Sequence, residues 1–294
     1  MSQVLILMPV YNEAEFLSDS ILSVQSQLYT NWKLVIQDNC SEDNTFRLAK
    51  DFSHSDDRIA VLKNSIKKNV QDNWFTLATF ALSQYESEYV IWLGGDDIWS
   101  NSNFLESKVK FLQAQLDYQS VAPGVRNLNS DPNFTISIKS KSRFKSARLT
   151  KYILDYRNIN VLWALMRRTT FEKLLLHPTF YPGGFSGFDW YFGLGIFYFG
   201  KVGCDSESVY LKRVRRIVSS NSTSGRQVEF RNPYRNFMIP YLETFYSQRR
   251  RFAFLSSPIK FLIFFSLFFI SHARLFRMLC TKVQALLSRV VSNE

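Results

Sequence analysis

Apolar positions in the first 116 residues alternate between short unbroken runs and helical stripes. Residues 4–8 are continuously apolar, the pattern of a strand covered on both faces. Across residues 15–27, Phe16, Leu17, Ile21, Leu22 and Val24 recur at helical spacing. The same reading predicts strands at 34–36, 59–62 and 89–93, and helices at 44–52, 72–85 and 104–116. Strands and helices alternating at this pitch predict an α/β fold, a mostly parallel central sheet flanked by helices.

The second half is less regular. Residues 127–133 are polar and turn-rich. Residues 139–151 carry six basic side chains and no acid, which reads as a solvated loop. A strand is predicted at 161–166 and a short helix at 169–176. A glycine-rich loop follows at 182–187, then an aromatic helix at 189–199 and short strands at 201–204 and 209–214.

Composition narrows the class. With 294 residues, 46% hydrophobic and 21% charged, the chain is neither disordered, collagen-like nor disulfide-stapled. Its three cysteines are widely spaced and form no C-x-x-C pair, so they suggest neither a zinc site nor a disulfide framework and fit a reducing cytosolic compartment. No positive region precedes the first apolar run, so no secretory signal peptide is expected.

The net charge of +11 is uneven: residues 245–294 hold eight Lys or Arg against the single acid Glu294. That tail is also strongly apolar. Residues 259–270 contain only Lys260 and Ser266 as polar side chains, short of the roughly 20 residues a spanning helix needs. Residues 274–291 are amphipathic, with Leu275, Leu279, Val283, Leu286 and Val290 in one stripe. The expectation is a catalytic domain over 1–244 and a membrane-associating helical tail over 245–294, lying on anionic lipid at the cytoplasmic face. A true span, a helix packed back on the domain and a dimer contact are the alternatives. A nucleic-acid arm would be polar, so nucleic acid is not an expected partner.

Three polar clusters follow three predicted strands. They are Pro9-Val10-Tyr11-Asn12-Glu13, Asp38-Asn39-Cys40-Ser41-Glu42-Asp43-Asn44-Thr45, and Gly94-Gly95-Asp96-Asp97. In an open parallel sheet ligands bind outside the carboxyl ends of strands. A carboxylate at Asp38 can accept an N–H from a nucleobase edge. Adjacent carboxylates at Asp96 and Asp97 repel one another unless a cation is present, and hard divalent ions take one or two carboxylates plus phosphate oxygens. The bland alternative is a set of strand–helix loops in which Ser41 or Asp43 caps a helix.

In order and spacing, Met8-Pro9-Val10-Tyr11-Asn12-Glu13, then Ile36-Gln37-Asp38-Asn39-Cys40-Ser41 with Thr45, then Gly95-Asp96-Asp97-Ile98-Trp99 resemble the family 2 glycosyltransferases of GT-A fold. The resemblance covers roughly residues 3–215. It implies that Pro9, Tyr11 and Glu13 line a nucleotide pocket, Asp38 contacts the uracil ring, Asp96 faces the ribose or sugar, and Asp97 holds a Mg²⁺ or Mn²⁺ bridging the diphosphate. Asn73 would lie near the donor. Where many relatives carry two acids, this chain has Gln37-Asp38, and the family's D-x-D is the contiguous Asp96-Asp97.

Inverting transfer needs a base on the acceptor's side of the sugar. In the family this acid follows a glycine-rich loop and opens a helix. Gly183-Gly184-Phe185-Ser186-Gly187-Phe188-Asp189 fits, with Phe188 in place of the usual first acid, so Asp189 is the candidate. It is alternatively a helix cap. Lys212, Arg213, Arg215 and Arg216 either clamp phosphates or form a solvated strand end. The implied activity is transfer of a sugar from a nucleotide-sugar donor, a UDP-sugar, to a hydroxyl of a glycan or lipid-linked acceptor. The alternatives are a non-catalytic nucleotide-sugar-binding or scaffold protein of the same fold and a sugar nucleotidylyltransferase. The latter would carry a glycine-rich basic loop after strand one, which is absent here.

Overall fold

A computed structural model describes residues 3–128, 139–154, 156–177 and 188–213. The glycine-rich loop at 182–187, Arg215, Arg216, the boundary at 244 and the tail at 245–294 lie outside the described residues.

The first half alternates as expected: β1 (Val4–Val10), α1 (Leu17–Gln25), β2 (Trp32–Asp38), α2 (Thr45–Ser55), β3 (Ile59–Lys63), α3 (Val70–Gln84), β4 (Tyr89–Trp92). Then come β5 (Ile98–Trp99), α4 (Phe104–Ala114), β6 (Tyr118–Asn127), α5 (Lys145–Leu154), a 3₁₀ helix (Tyr156–Trp163), β7 (Leu165–Arg167), α6 (Arg168–Leu176), α7 (Phe188–Phe199) and β8 (Lys201–Lys212). One eight-stranded sheet runs in the order β3-β2-β1-β4-β7-β6-β8-β5. Strands β1 to β4 are mutually parallel, and β7 and β5 pair antiparallel to their neighbours. Every residue of β1 is buried, which is why its sequence is continuously apolar rather than alternating.

The chain steps outward from β1 to β2 to β3, then returns to place β4 on the other side of β1. That reversal makes a switch point between β1 and β4, where an α/β sheet opens a crevice at the strands' carboxyl ends. All three polar clusters lie there.

The second half corrects three expectations and adds a strand. Residues 161–163 close a 3₁₀ helix, and the strand predicted at 161–166 shrinks to β7. The two strands predicted at 201–204 and 209–214 are one, β8, whose register with β6 jumps between Pro123 and Gly124. There Asp205 accepts the backbone N–H groups of Glu207 and Ser208, so a polar bulge interrupts the apolar pattern without ending the strand. Strand β6 was not among the predicted elements; it carries Pro123 and Gly124 in its interior, both poor strand residues. Residues 139–151 are not simply a solvated loop: from Lys145 they form α5, and Arg148 is buried.

Packing between layers is mostly aromatic and aliphatic, but one ion pair offers a test. Asp56 at the end of α2 accepts from Arg58 at 2.8 Å and from the Gln25 amide at 3.0 Å, and Arg58 stacks on Trp32. The Arg58 bonds first, then that from Gln25, hold the Asp56 carboxyl far below the usual carboxylate range. A depressed folded pKa contributes stability that is present above the unfolded value, near 3.9, and is lost as pH falls toward the folded one. Asp56→Asn is therefore expected to cost about 1 kcal/mol at pH 7. Melting curves of the two proteins should converge as pH drops below about 4.

Among the described residues, no helix is long and apolar enough to cross a membrane.

Candidate active site

The site is built on two laced loops. Asn12 and Cys40 both sit at positive φ, 53° and 60°, a conformation that turns each strand end sharply. The Asn12 N–H donates to Ser41 Oγ at 3.0 Å, and the Glu42 N–H returns a bond to Asn12 Oδ1 at 2.9 Å. The Glu13 N–H donates to Thr45 Oγ1 at 2.7 Å, and the Ala14 N–H to Asp43 Oδ2 at 3.1 Å. Asp43 also accepts the Thr45 N–H at 3.0 Å, so it braces the first residue of α2 from just before the N-cap position, Asn44, whose own side chain makes no cap bond. Thr45 thus anchors the first loop rather than facing a ligand.

Pro9 is buried in β1 opposite Gln37. Tyr11 is half-buried; its hydroxyl donates to Glu42 Oε1 at 3.3 Å, and Lys67 Nζ stands 3.8 Å from its ring centroid. Glu13 is half-buried, and its backbone carbonyl accepts the N–H groups of Phe16 and Leu17 at the start of α1.

Asp38 is 0% exposed at the last position of β2. Its Oδ2 accepts the Ser41 N–H at 3.1 Å, while its Oδ1 is buried with no hydrogen-bond partner among the described residues. A buried carboxylate oxygen left this way is costly unless a ligand N–H meets it. Where relatives carry a second acid, Gln37 is buried in an amide cluster. Its Nε2 donates to Asn64 Oδ1 at 2.9 Å and to Asn73 Oδ1 at 3.0 Å, and Asn64 Nδ2 reaches Asn73 Oδ1 at 2.8 Å. Asn73 therefore has its amide oxygen committed to the scaffold, and any donor contact falls to its amide nitrogen.

Beyond β4 the chain turns at Gly94-Gly95 and presents Asp96 and Asp97. A Cβ at Gly95 would lie 2.6 Å from Val10 Cγ1 and 3.2 Å from Glu13 Cγ, so only glycine lets this turn close on the β1 loop. Ser20 Oγ of α1 holds the same turn by donating to the Gly95 carbonyl at 2.9 Å. Gly95→Ala is expected to cost about 1–3 kcal/mol, a fall of roughly 3–10 °C in Tm by calorimetry.

Asp97 is nearly fully buried. Its Oδ2 accepts the Tyr210 hydroxyl at 2.9 Å, and its Oδ1 accepts the Arg213 backbone N–H at 2.8 Å. Tyr210 also accepts the Gly94 N–H at 3.0 Å and stacks on Trp163, centroids 4.5 Å apart. Arg213 Nε donates to the Asp96 carbonyl at 3.1 Å, and its Nη2 pairs with Asp19 at 3.2 Å. Burial, then the Asp97 charge, push the Asp96 carboxyl up to about 6. Burial also raises Asp97, against the bonds from Arg213 and Tyr210. The pair thus carries negative charge in a place that disfavours it, with Lys212 and Arg213 only partly offsetting it.

Such a pair suits a hard divalent cation. Each oxygen of Asp97 keeps a lone pair beyond its protein bond. Among the described residues no three His, Cys, Asp or Glu side chains cluster. A site of one or two carboxylates completed by phosphate oxygens and water suits Mg²⁺ or Mn²⁺ better than an all-protein cage does. The residues present fit the ion.

Asp189 is half-buried in the first turn of α7, inside the helix rather than capping it. Buried Tyr152 lies beside the next turn: a Cβ at Gly193 would collide with its hydroxyl. Burial, then the charge of Asp189, push the Tyr152 phenol well above its usual range. The described contacts bring together the clusters of β1, β2 and β4. Tyr210 and Trp163 were missed in the sequence, where each reads as one more core aromatic.

The sequence profile described as glycosyl transferase family 2 matches residues 5–175. The chain belongs to that family. EpsE of Bacillus subtilis (strain 168), which carries a glycosyltransferase name, is 30% identical over 199 residues, 64% of this chain and 69% of EpsE. The Escherichia coli UDP-Glc:alpha-D-GlcNAc-diphosphoundecaprenol beta-1,3-glucosyltransferase WfgD is 37% identical over 107 residues, 36% of this chain and 40% of WfgD. Among solved structures, S. aureus TarS 1-349 in complex with UDP-GlcNAc superposes with a TM-score of 0.56 at 18% identity, over 76% of this chain and 62% of that one. The chain thus spans less than two thirds of WfgD and of the TarS structure. The fold is the GT-A fold that the motifs implied, and the protein is a family 2 glycosyltransferase.

Proposed function

We propose that this glycosyltransferase inverts configuration, taking its sugar from a UDP-sugar and passing it to a hydroxyl of a glycan or lipid-linked acceptor. The observation that carries the reading is the buried, unmatched Oδ1 of Asp38, one strand away from the strained carboxylate pair that follows β4. An acceptor oxygen there is the complement of the imide N–H of uracil. Pro9, Tyr11 and Glu13 line the pocket between Asp38 and the pair, and Asn73 adds an amide nitrogen. Asp96 meets the ribose or sugar. WfgD takes its name from a UDP-Glc donor and a diphosphoundecaprenol-linked acceptor, which supports this donor and a lipid-linked acceptor.

Asp97 would hold the Mg²⁺ or Mn²⁺, which when bound supplies positive charge to the departing diphosphate. Tyr210 and the Arg213 N–H keep the Asp97 carboxylate in one orientation. The acceptor oxygen forms a bond to the anomeric carbon from the face opposite the diphosphate. The bond from that carbon to the phosphate oxygen breaks, and its electron pair leaves with UDP. The acceptor's proton passes to Asp189. With its tail on the membrane surface, the enzyme would meet a lipid-linked acceptor at the cytoplasmic face.

A thermal-shift and turnover panel of nucleotide-sugars tests this. A UDP-sugar with Mn²⁺ should raise Tm and be turned over, and GDP- and CDP-sugars should do neither. Stabilisation by a non-uridine donor alone, or binding without turnover on any acceptor, would overturn the reading.

A further inference from the structure

The cationic segment that opens α5 is held in one shape against the far end of α7. Arg148 is buried, and its guanidinium binds four carbonyls. Nε donates to Phe197 at 2.8 Å, Nη1 to Ser142 at 3.1 Å and to Arg143 at 2.9 Å, and Nη2 to Tyr198 at 3.1 Å. Upstream, Ser140 is buried and bridges to Val202 at the start of β8. Lys139 and Lys141, on either side of it, are therefore turned outward, and both are exposed.

Arg143 and Lys145 are exposed as well, and between them Phe144 is 60% exposed. Lys145 Nζ stands 3.9 Å from the ring centroid of Tyr198. From the other side, the His177 ring lies 6.5 Å from Tyr198 and 6.2 Å from Phe199. Its neighbour Leu176, the last residue of α6, is 80% exposed. Phe144 and Leu176, two exposed apolar side chains, are thus the chain neighbours of residues that reach half-buried Tyr198, with four exposed cations and no acid in residues 139–154.

We propose that this end of the domain, formed by the start of α5 and the ends of α6 and α7, docks on an anionic lipid bilayer. Four clustered cations match an anionic headgroup layer. Exposed Phe and Leu beside them match its hydrocarbon boundary, which a soluble polyanion does not offer. The surface belongs to the folded domain and is separate from the tail at 245–294. It leaves Asp189 about 15 Å along α7 from the bilayer contact, since ten helical steps lead from it to Phe199. The inference does not depend on the identity of donor or acceptor.

The test is co-sedimentation of the full chain with vesicles of phosphatidylcholine alone or mixed equally with phosphatidylglycerol, across a salt series. The wild type should bind the mixed vesicles, more weakly at higher salt. The combined variant Lys139→Gln, Lys141→Gln, Arg143→Gln, Lys145→Gln should lose roughly 10²–10³-fold in affinity and show a flatter salt dependence. Phe144→Ser should lose several-fold with the salt dependence unchanged. All these side chains are exposed, so Tm and turnover of soluble donor should match the wild type. Loss of turnover in the wild type would count against the proposed function and leave the vesicle result standing. Wild-type binding that neither variant weakens would overturn the proposal, placing attachment in the tail. So would tighter binding to dextran sulfate than to vesicles together with indifference to Phe144→Ser.

Discussion

Asp97→Asn is expected to lower sugar transfer by at least about 10²-fold while the protein still folds. The substitution keeps the shape of a nearly fully buried side chain and removes its charge. The Asn oxygen can still accept the Arg213 N–H, and its NH₂ then faces the Tyr210 hydroxyl, which turns to accept it. The structural cost is one rearranged hydrogen bond, about 1 kcal/mol. The catalytic cost is larger, because the charge that would hold a cation at the diphosphate is gone. Tyr210→Phe, which keeps the charge but frees the carboxylate and the Gly94 N–H, should fall between Asp97→Asn and wild type. Initial rates across a Mn²⁺ titration check both. An Asp97→Asn enzyme within tenfold of wild type at saturating Mn²⁺ would show that this carboxylate only braces the turn.

The parallel half of the sheet was legible because β1, β2 and β4 are almost wholly buried and the flanking helices are amphipathic, so periodicity reports burial directly. The second half hid for physical reasons. In β8 the polar bulge at Asp205–Ser208 satisfies backbone groups locally, and a strand that continues through it looks like two. In α5 the charges are real, but Arg148 points inward and spends its donors on carbonyls of α7 and of its own loop. A composition count cannot separate that arginine from its exposed neighbours.

The site shows the same division. Carboxylates at strand ends, such as Asp38, Asp96 and Asp97, announce themselves by type and position. Residues that act by holding them do not. Tyr210 lies 113 positions from Asp97 and reaches it only because β8 runs back along the sheet to the turn after β4. Gln37 looked like a missing acid. It is the hub of a buried amide cluster that ties the end of β2 to the start of α3, work that a carboxylate, with no N–H to donate, cannot do.

Asp189→Asn is expected to lower kcat by about 10²–10⁴-fold with the KM for donor little changed. Two roles compete for this residue. Negative charge in the first turn of α7 is favoured by the helix dipole, and that alone is worth about 0.3–1 kcal/mol. A base must in addition accept a proton, which an amide cannot do. Asn is nearly isosteric, so the swap removes basicity and leaves the packing of Tyr152 beside Gly193 in place. Removal of the charge also relieves one of the two causes that raise the Tyr152 phenol, so that residue should titrate lower in the variant. Steady-state kinetics on donor and acceptor, with calorimetric UDP binding as the control, separate the roles. Unchanged UDP affinity with a collapsed kcat assigns Asp189 as the base. A variant that merely melts a few degrees lower and turns over normally leaves it as a helix-stabilising acid, and the base must then be sought elsewhere in the chain.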